Sequence, residues 1–185
     1  MNESARADII RELISWAKTI IFAVILAVFI NQVVIVNATV PTGSMENNIM
    51  PNDRIVAFRL QYLFQGPKRY DIVVFRYPDD PSQLFVKRVI GLPGETVSIR
   101  GGKVYITGAD GVEDPVPLED SFVYNPDPRD FGPYKVPEGC YFMMGDNRYN
   151  SLDSRFWDNK YVEKGTILGR VLFKYYPGIK MLYNI

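Results

Sequence analysis

The stretch LFVKRVIG, residues 84–91, decides which fold the sequence predicts. It is rich in β-branched and aromatic residues and ends at a glycine, which is typical of a β-strand. Successive side chains of a strand point to opposite faces, so Phe85, Lys87 and Val89 share one face. If that face is buried, desolvation lowers the pKa of the Lys87 amine toward neutrality. The alternative is that Lys87 lies on a solvated face.

Further short runs of strand-like composition lie on both sides of this stretch, separated by glycine and proline residues. They are residues 54–58, 71–76, 96–100, 103–106, 140–144 and 166–176. Residues 108–137 are rich in proline and predict loops, and no long stretch after Val36 has helical periodicity. The sequence therefore predicts a mainly β domain in which antiparallel sheets form a barrel-like or sandwich arrangement.

An apolar run precedes the β-rich part. Residues 17–36 read AKTIIFAVILAVFINQVVIV, about 20 residues, which is long enough to cross a hydrocarbon core as one helix. The basic residues that precede its apolar centre are Arg6, Arg11 and Lys18. By the positive-inside rule they place the N-terminus in the cytoplasm. We therefore expect a cytoplasmic segment at residues 1–16, one transmembrane anchor at 17–36 and an extracytoplasmic β-rich domain at 37–185.

Two alternatives compete with a retained anchor. A buried core helix is disfavoured because no polar stripe interrupts residues 20–30. A cleavable signal peptide would use the small residues around Ala38 as its cleavage site. The leading region, however, contains Glu3, Asp8 and Glu12, and the apolar run is longer than the core of such a peptide.

Composition narrows the possible chemistry. Lys+Arg and Asp+Glu both number 21, so the formal net charge is zero and nothing in it favours a nucleic-acid partner. The chain has no histidine, which excludes Ser-His-Asp triads, Cys-His dyads and histidine zinc ligands. Its one cysteine, Cys140, excludes an intramolecular disulfide. A general base must therefore be Lys, Asp, Glu, Tyr or a terminal amine.

A loop that follows the apolar run offers a nucleophile. Residues 40–51 read VPTGSMENNIMP, with Ser44 between a glycine and a methionine. We expect Gly43 to free the backbone for an unusual turn that projects the Ser44 hydroxyl. A hydroxyl alone is a poor nucleophile and needs a base. Lys87 becomes a strong candidate for that base only when it is paired with Ser44.

The segment GDNRYNSLDSRFW, residues 145–157, concentrates polar and charged side chains in a turn-rich stretch. One interpretation is a solvated loop whose ion pairs contribute little. A metal site would use Asp146, Asp153 and Asp158, although the interleaved Arg148 and Arg155 argue against it. A third interpretation is a hydrogen-bonded scaffold behind a site, with Ser151 free to contact the base.

Four separated blocks together resemble the bacterial type I signal peptidases, which are membrane-anchored serine proteases that remove signal peptides. The blocks are PTGSMENNIM at 41–50, NDRIVAFR at 52–59, DIVVFRYP with KRVIGLPGE at 71–95, and GDNRYNSLDSRFW at 145–157. They occur in the family's order, and with the anchor the resemblance covers about residues 17–175. It implies cleavage after small residues of the Ala-X-Ala type.

The resemblance also implies residue roles. Ser44 matches the nucleophile, Lys87 the general base, and Ser151 the residue that hydrogen-bonds and orients the lysine. The Ser44 backbone N–H and the Thr42 hydroxyl match the oxyanion hole. The supporting network corresponds to Asp146, Arg148, Asp153 and Arg155. Substrate contacts are expected from Val40, Met45, Ile49, Leu84, Phe85 and Val86.

The chain departs from the family at two positions near these blocks. Glu46-Asn47 follows the Ser-Met pair where the family usually has proline, and Asp158 follows Trp157 where it usually has glycine. Neither departure touches Ser44 or Lys87.

The implied setting is the cell membrane, crossed once, with the catalytic domain on the extracytoplasmic face. The implied partners are signal peptides of secreted preproteins and the lipid bilayer, without metal, cofactor or nucleic acid. Two alternatives stay open: a non-catalytic, membrane-tethered β domain that binds extended peptides or cell-wall components, and a self-cleaving or regulatory peptidase of the same Ser/Lys type.

Overall fold

The computed structural model describes residues 3–182, with side chains from Ile10 onward. Helix α1 spans Glu3–Phe29 and continues as a π-helical turn at Ile30–Val34. Within it, Ile10–Val34 is long and apolar enough to cross a membrane, and none of its central window is buried against the rest of the chain. The alternative of a buried core helix is therefore wrong.

The expected boundaries of the anchor differ from those of the helix. The helix begins well before residue 17, and Ile35 and Val36 already belong to the first strand, β1. The Arg6 side chain, used above for orientation, and residues 183–185 of the expected outer domain lie outside the described part.

Eleven strands follow α1 in the described chain. They are β1 Ile35–Thr39, β2 Arg54–Phe58, β3 Ile72–Tyr77, β4 Asp80–Gly91, β5 Thr96–Arg100, β6 Lys103–Thr107, β7 Phe131–Lys135, β8 Cys140–Met144, β9 Val162–Glu163, β10 Ile167–Tyr176 and β11 Lys180–Met181. The helical elements after α1 are short: α2 at Gln61–Phe64 and 3₁₀ turns at Gly43–Met45 and Lys164–Thr166.

The strands form two antiparallel sheets. The larger sheet has the order β1-β2-β10-β3-β4-β8-β9, with β11 paired to β10, and the smaller has the order β6-β5-β7. The prediction of a mainly β, antiparallel domain behind one N-terminal apolar helix is confirmed.

Two strands of five residues, β1 and β7, were not predicted, each for a local reason; the two-residue strands β9 and β11 were not predicted either. β1 begins inside the expected anchor because Ile35 and Val36 are as apolar as the helix that precedes them. β7 lies in the segment predicted as loop, and it contains Gly132 and Pro133, which normally interrupt strands. Among the described residues β7 pairs only with β5, and proline is tolerated at such an edge position.

Strand β4 lies between separate parts of the core. Val89 packs in a cluster with Phe75 and Trp157, whereas Ile90 packs in another that includes Val97 of the small sheet. Both faces of β4 are thus covered toward its C-terminal end, and residues 87–91 are buried whatever their polarity. Lys87 and Arg88 are consequently only 4% and 2% exposed.

Candidate active site

The loop between β1 and β2 presents Ser44 from the 3₁₀ turn Gly43–Met45. The expectation that Gly43 supplies an unusual backbone conformation is wrong, because its φ is not in the left-handed region. Its missing side chain provides space instead: a Cβ at Gly43 would lie 2.5 Å from Oε1 of Glu46. The turn is therefore packed tightly against the residue two positions after the serine.

Ser44 and Lys87 meet beside the C-terminal half of β4. The Nζ atom of Lys87 lies 2.5 Å from Oγ of Ser44, within hydrogen-bond distance. Both residues are buried, and the aromatic ring of Phe85 lies 5.5 Å from the same nitrogen. The structure thus brings together the hydroxyl and the amine that the sequence singled out.

Burial lowers the pKa of Lys87 from 10.5 to about 8. Desolvation is the main cause, and the positive charge of Arg155 acts in the same direction. The carboxylates of Asp153 and Asp146 oppose the shift because they stabilise the ammonium form. About half of the Lys87 amine groups are therefore neutral near pH 8, and a neutral amine can accept a proton.

Thr42 and Ser44 supply two hydrogen-bond donors beside the Ser44 hydroxyl. Oγ1 of Thr42 lies 3.5 Å from Oγ of Ser44, and the Thr42 side chain is exposed at the opening of the turn. The first N–H groups of a helical turn have no partner inside that turn, so the Ser44 N–H can bind an external oxygen.

Ser151 lies beside the pair but does not form the expected bond. Its Oγ atom is buried and has no hydrogen-bond partner among the described residues, Lys87 included. A side chain on Gly145 would collide with this Oγ and with the carbonyl oxygen of Ser44, so both atoms lie close to the Gly145 Cα. An unpartnered buried hydroxyl at this place is free to contact a group that enters the site.

Behind the pair, Asp153 accepts hydrogen bonds from two directions. One comes from the backbone N–H of Gly145 at 3.0 Å, and two come from Nε and Nη2 of Arg155 at 2.8 and 2.9 Å. Arg155 also donates to the carbonyl oxygen of Arg148 at 2.6 Å and to the Asp127 carboxylate at 3.2 Å. These buried bonds shape the segment that carries Ser151.

Asp146 forms a second buried ion pair, with Arg88 of β4. Arg88 donates from Nε at 2.8 Å and from Nη2 at 2.6 Å. Arg148, which is also buried, donates to the carbonyl oxygen of Gly145 at 3.1 Å, and desolvation lowers its pKa to about 10. The carboxylates of Asp146 and Asp153 each face a guanidinium group, which suits a scaffold rather than a metal site.

Three members of this network were not anticipated. The position of Arg88 could have been anticipated from the sequence, because it follows Lys87 and therefore points to the opposite face of the same strand. Asp127, in the proline-rich segment, and Asn147, inside the 145–157 block, had no pattern that set them apart from solvated polar residues.

A cleft of about 620 Å³ leads to Ser44 and Lys87. It is lined by Asn37, Ala38, Thr39, Val40, Pro41, Thr42, Gly43, Ser44, Val74, Gln83, Leu84, Phe85, Val86, Lys87, Asn150 and Leu152. Of the expected substrate residues, Val40, Leu84, Phe85 and Val86 therefore lie on its walls.

Met45 and Ile49 are not on the cleft surface. Both are fully buried in a core cluster that also contains Val40 and Val74 of the cleft wall. The expectation that they contact substrate directly needs correction: an apolar residue beside the nucleophile serves equally as core, and these two support the wall from behind.

The two long walls of the cleft carry unpaired backbone groups. β1 is at the end of the large sheet and pairs only with β2 in the described chain. In β4, the pairing with β8 begins at Arg88, so within the part of the chain that the structure describes residues 84–87 pair with β3 on one side only. An extended peptide placed in the cleft can form main-chain hydrogen bonds with one or both walls.

A family model and two relatives with similar sequences agree on one family. A family model described as signal peptidase, peptidase S26, matches residues 13–176. A signal peptidase I from Leptolyngbya laminosa is 40% identical over 86% of this chain and 78% of its own length. Signal peptidase I S from Bacillus subtilis strain 168 is 37% identical over 90% of this chain and 91% of its own. A crystal structure of a signal peptidase I from Enterococcus faecalis V583 has 34% identity and a TM-score of 0.46, covering 57% of this chain and 97% of that one.

Proposed function

The chain belongs to the signal peptidase family, peptidase S26, and we propose that it cleaves signal peptides from secreted preproteins with Ser44 as nucleophile and Lys87 as general base. The observation that carries the proposal is the buried Lys87 amine, 2.5 Å from the Ser44 hydroxyl and with a pKa lowered to about 8. Family membership disfavours the alternative of a non-catalytic tethered domain.

The first step is attack on the scissile carbonyl. Neutral Lys87 accepts the Ser44 proton, and the Ser44 oxygen forms a bond to the carbonyl carbon as the C=O π electrons move to oxygen. The Ser44 N–H and the Thr42 hydroxyl then donate to the oxyanion. One such donor contributes roughly 3–4 kcal/mol to lowering the barrier.

The second step releases the mature protein and then the signal peptide. The Lys87 ammonium gives its proton to the departing amine as the C–N bond breaks, which leaves an ester on Ser44. Neutral Lys87 next takes a proton from water, whose oxygen attacks the ester, and returns it to Ser44 as the signal peptide leaves. The Ser151 hydroxyl has no partner in the described structure, and a rotation of its side chain toward Lys87 during turnover would let it accept a hydrogen bond from the amine and help to hold it toward Ser44.

The cleft suits an extended substrate with small side chains before the cut. Leu84 lies on a wall whose free strand edge can pair with the peptide main chain, and Phe85 and Val86 line the space beside it. Val40 forms part of the opposite wall, but its own backbone N–H and carbonyl are already bonded to Asp53 and Asn52, at 3.0 and 2.7 Å. We propose a preference for the Ala-X-Ala type of cleavage site, which the resemblance to the signal peptidases implies and with which an apolar cleft is compatible.

Helix α1 would retain the enzyme in the cell membrane, where the membrane-bound precursor is concentrated near the site. We propose one crossing, with the N-terminus in the cytoplasm and the β domain outside. The lone cysteine tests this topology: a membrane-impermeant maleimide should label the half-buried Cys140 in intact cells or spheroplasts. A Cys140→Ser, Glu12→Cys variant should be labelled only after the membrane is broken, and the reverse pattern would refute the orientation.

Cleavage by purified full-length variants tests the catalytic roles. Ser44→Ala and Lys87→Met should each abolish cleavage of a precursor with alanine before the cut, while circular dichroism stays that of a folded β protein. Matched controls are Ser121→Ala and Lys103→Met, which change the same residue types at exposed positions and should retain activity. Wild-type turnover by either site variant would exclude the proposed pair.

A further inference from the structure

Asn147 connects the 3₁₀ turn Gly43–Met45, here called the nucleophile turn, to residues 145–157, here called the scaffold segment. It does so through three hydrogen bonds, one of them to Glu46 just after the turn. Its backbone N–H donates to the carbonyl oxygen of Ser44 at 3.0 Å. Its side-chain Nδ2 donates to the carbonyl oxygen of Gly43 at 3.1 Å and to Oε2 of Glu46 at 2.8 Å. One buried asparagine thus contacts three of the four residues from Gly43 to Glu46.

Glu46 closes the turn from the other side. Its backbone N–H donates to the carbonyl oxygen of Gly43 at 3.1 Å, and its carboxylate lies against the Gly43 Cα. The contact between Glu46 and Asn147 therefore joins a carboxylate of the turn to an amide of the 145–157 segment.

Asn147 is itself held in place. It is only 2% exposed, and its Oδ1 accepts from Nδ2 of Asn125 and from the backbone N–H of Asn150, both at 3.3 Å. The amide orientation follows from these bonds, because the oxygen faces two donors and the nitrogen faces two acceptors. A side chain fixed on both ends is suited to positioning others.

The planarity of one peptide group links these contacts to catalysis. The Gly43 carbonyl and the Ser44 N–H belong to the same trans peptide and point in opposite directions. Since the Gly43 carbonyl accepts bonds from both Asn147 and Glu46, the Ser44 N–H is directed away from the scaffold segment. That N–H is one of the two oxyanion donors named above.

We propose that Glu46 and Asn147 are a positioning pair that sets the direction of the Ser44 N–H and holds the Ser44 hydroxyl beside Lys87. The proposal rests on the proposed function, since it assigns the pair an effect on that reaction. Loss of the side-chain bonds of the pair leaves the Gly43 carbonyl with only the backbone bond from Glu46, so the peptide group is oriented less strictly. This weakens a bond made to the oxyanion rather than to the bound substrate. The effect therefore falls on kcat and leaves KM nearly unchanged.

Kinetics of the full-length enzyme on one precursor tests the pair. Glu46→Ala should lower kcat by about tenfold with KM within about twofold of wild type, since misorientation costs less than the roughly 100-fold loss of a whole oxyanion donor. Glu46→Gln keeps an acceptor for Asn147 and should recover most of the lost kcat. Glu113→Ala is the matched control, because it removes a carboxylate from an exposed pair with Arg100 and should leave both constants unchanged.

Exchanging the amide and the carboxylate between positions 46 and 147 distinguishes a positioning role from a general loss of protein stability. Asn147→Asp places two carboxylates together and should lower kcat further than Glu46→Ala. The double variant Glu46→Gln, Asn147→Asp restores one donor and one acceptor and should regain part of the loss, which is a positive coupling energy. The regain is partial because an aspartate at 147 cannot donate to the Gly43 carbonyl.

The outcomes distinguish this inference from the proposed function. If Ser44→Ala and Lys87→Met are inactive but Glu46→Ala has wild-type kcat, the positioning role is wrong and the catalytic pair stands. A rise in KM alone, or a loss of activity that follows the melting temperature and is not recovered by Glu46→Gln, also overturns it. Activity in Ser44→Ala would remove the proposed function itself.

Discussion

The side chains of Lys87 and Ser44 meet at 2.5 Å although 43 positions separate them in the chain. One comes from the middle of the large sheet, where both faces of β4 are covered, and the other from a short helical turn after the edge strand β1. The amine is therefore desolvated because β4 lies between two parts of the core. The hydroxyl reaches it because the turn is hydrogen-bonded to the scaffold segment.

Cleavage should depend on pH through Lys87. Its pKa is lowered to about 8, and only the neutral amine can accept the Ser44 proton. We expect kcat/KM to rise about tenfold per pH unit below this value and to level off above it. Initial rates on one precursor over the pH range in which the fold is intact measure this profile. A flat profile from about pH 6 to 9 contradicts a lysine base.

Replacing Lys87 by methionine should stabilise the protein at neutral pH. The folded-state pKa of about 8 lies below the ordinary 10.5, so the unfolded chain binds more protons between these values and stability rises with pH across that window. Below pH 8 the full penalty of the buried amine is present, on the order of 3 kcal/mol. Lys87→Met removes that penalty and keeps a similar apolar stem.

Thermal unfolding of the full-length protein in detergent, at pH 7 and pH 10, measures this effect. The melting temperature of Lys87→Met should exceed that of wild type at pH 7, and the difference should shrink at pH 10. Lys103→Met, at an exposed position, serves as the control and should show no gain. If Lys87→Met is less stable than wild type at pH 7, favourable interactions of the buried ammonium outweigh the cost of its desolvation, and the prediction is wrong.

Asp153 should influence both the pKa of Lys87 and stability. Its carboxylate favours the lysine ammonium, so Asp153→Asn should move the midpoint of the pH profile below about 8. It should also cost about 3 kcal/mol, because the buried Arg155 loses its main partner. Asp127→Asn is the control: it removes the other carboxylate from Arg155 and should destabilise without a comparable change of midpoint. Equal midpoints for both variants contradict the prediction.

The strands could largely be predicted because local signals define them. Residues 54–58, 96–100 and 140–144 match β2, β5 and β8 in both bounds, since each run combines β-branched or aromatic residues with glycine, proline or polar residues at its ends. β9 and β11 have two residues each and no periodicity to detect, and they exist only because a neighbouring strand pairs with them.

The candidate site could be predicted in part. Without histidine, a serine and a lysine in separate motifs were the strongest nucleophile and base, but only the register of β4 against the turn sets their distance. The partner of each buried arginine could not be assigned, because Arg88, Arg148 and Arg155 face a choice of carboxylates that the sequence spacing does not decide. Burial of Met45 and Ile49 was missed because the same apolar pattern describes a pocket and a core.

Ser151→Ala should separate an active-site role from a structural one. The buried Ser151 hydroxyl has no partner in the described structure. Its removal should therefore leave the free energy of unfolding unchanged or raise it by less than about 1 kcal/mol, which a melting curve measures. If the hydroxyl orients the Lys87 amine during turnover, kcat should fall at least tenfold, because the free energy of one lost hydrogen bond, about 1.4 kcal/mol, corresponds to about a factor of ten in rate. A stable variant with full activity would remove Ser151 from the site.

The width of the cleft should control which precursors are cleaved. Ala38 lines the cleft from β1, on the same wall as Val40. Ala38→Phe should fill the space that the substrate's side chains need and raise KM for a precursor at least about tenfold. Acylation of Ser44 by a small serine-directed inhibitor should keep its wild-type rate, because Lys87 and the oxyanion donors are untouched. Val116→Phe, at an exposed loop position, should alter neither quantity. Equal loss of peptide cleavage and inhibitor acylation in Ala38→Phe would instead indicate a distorted nucleophile turn.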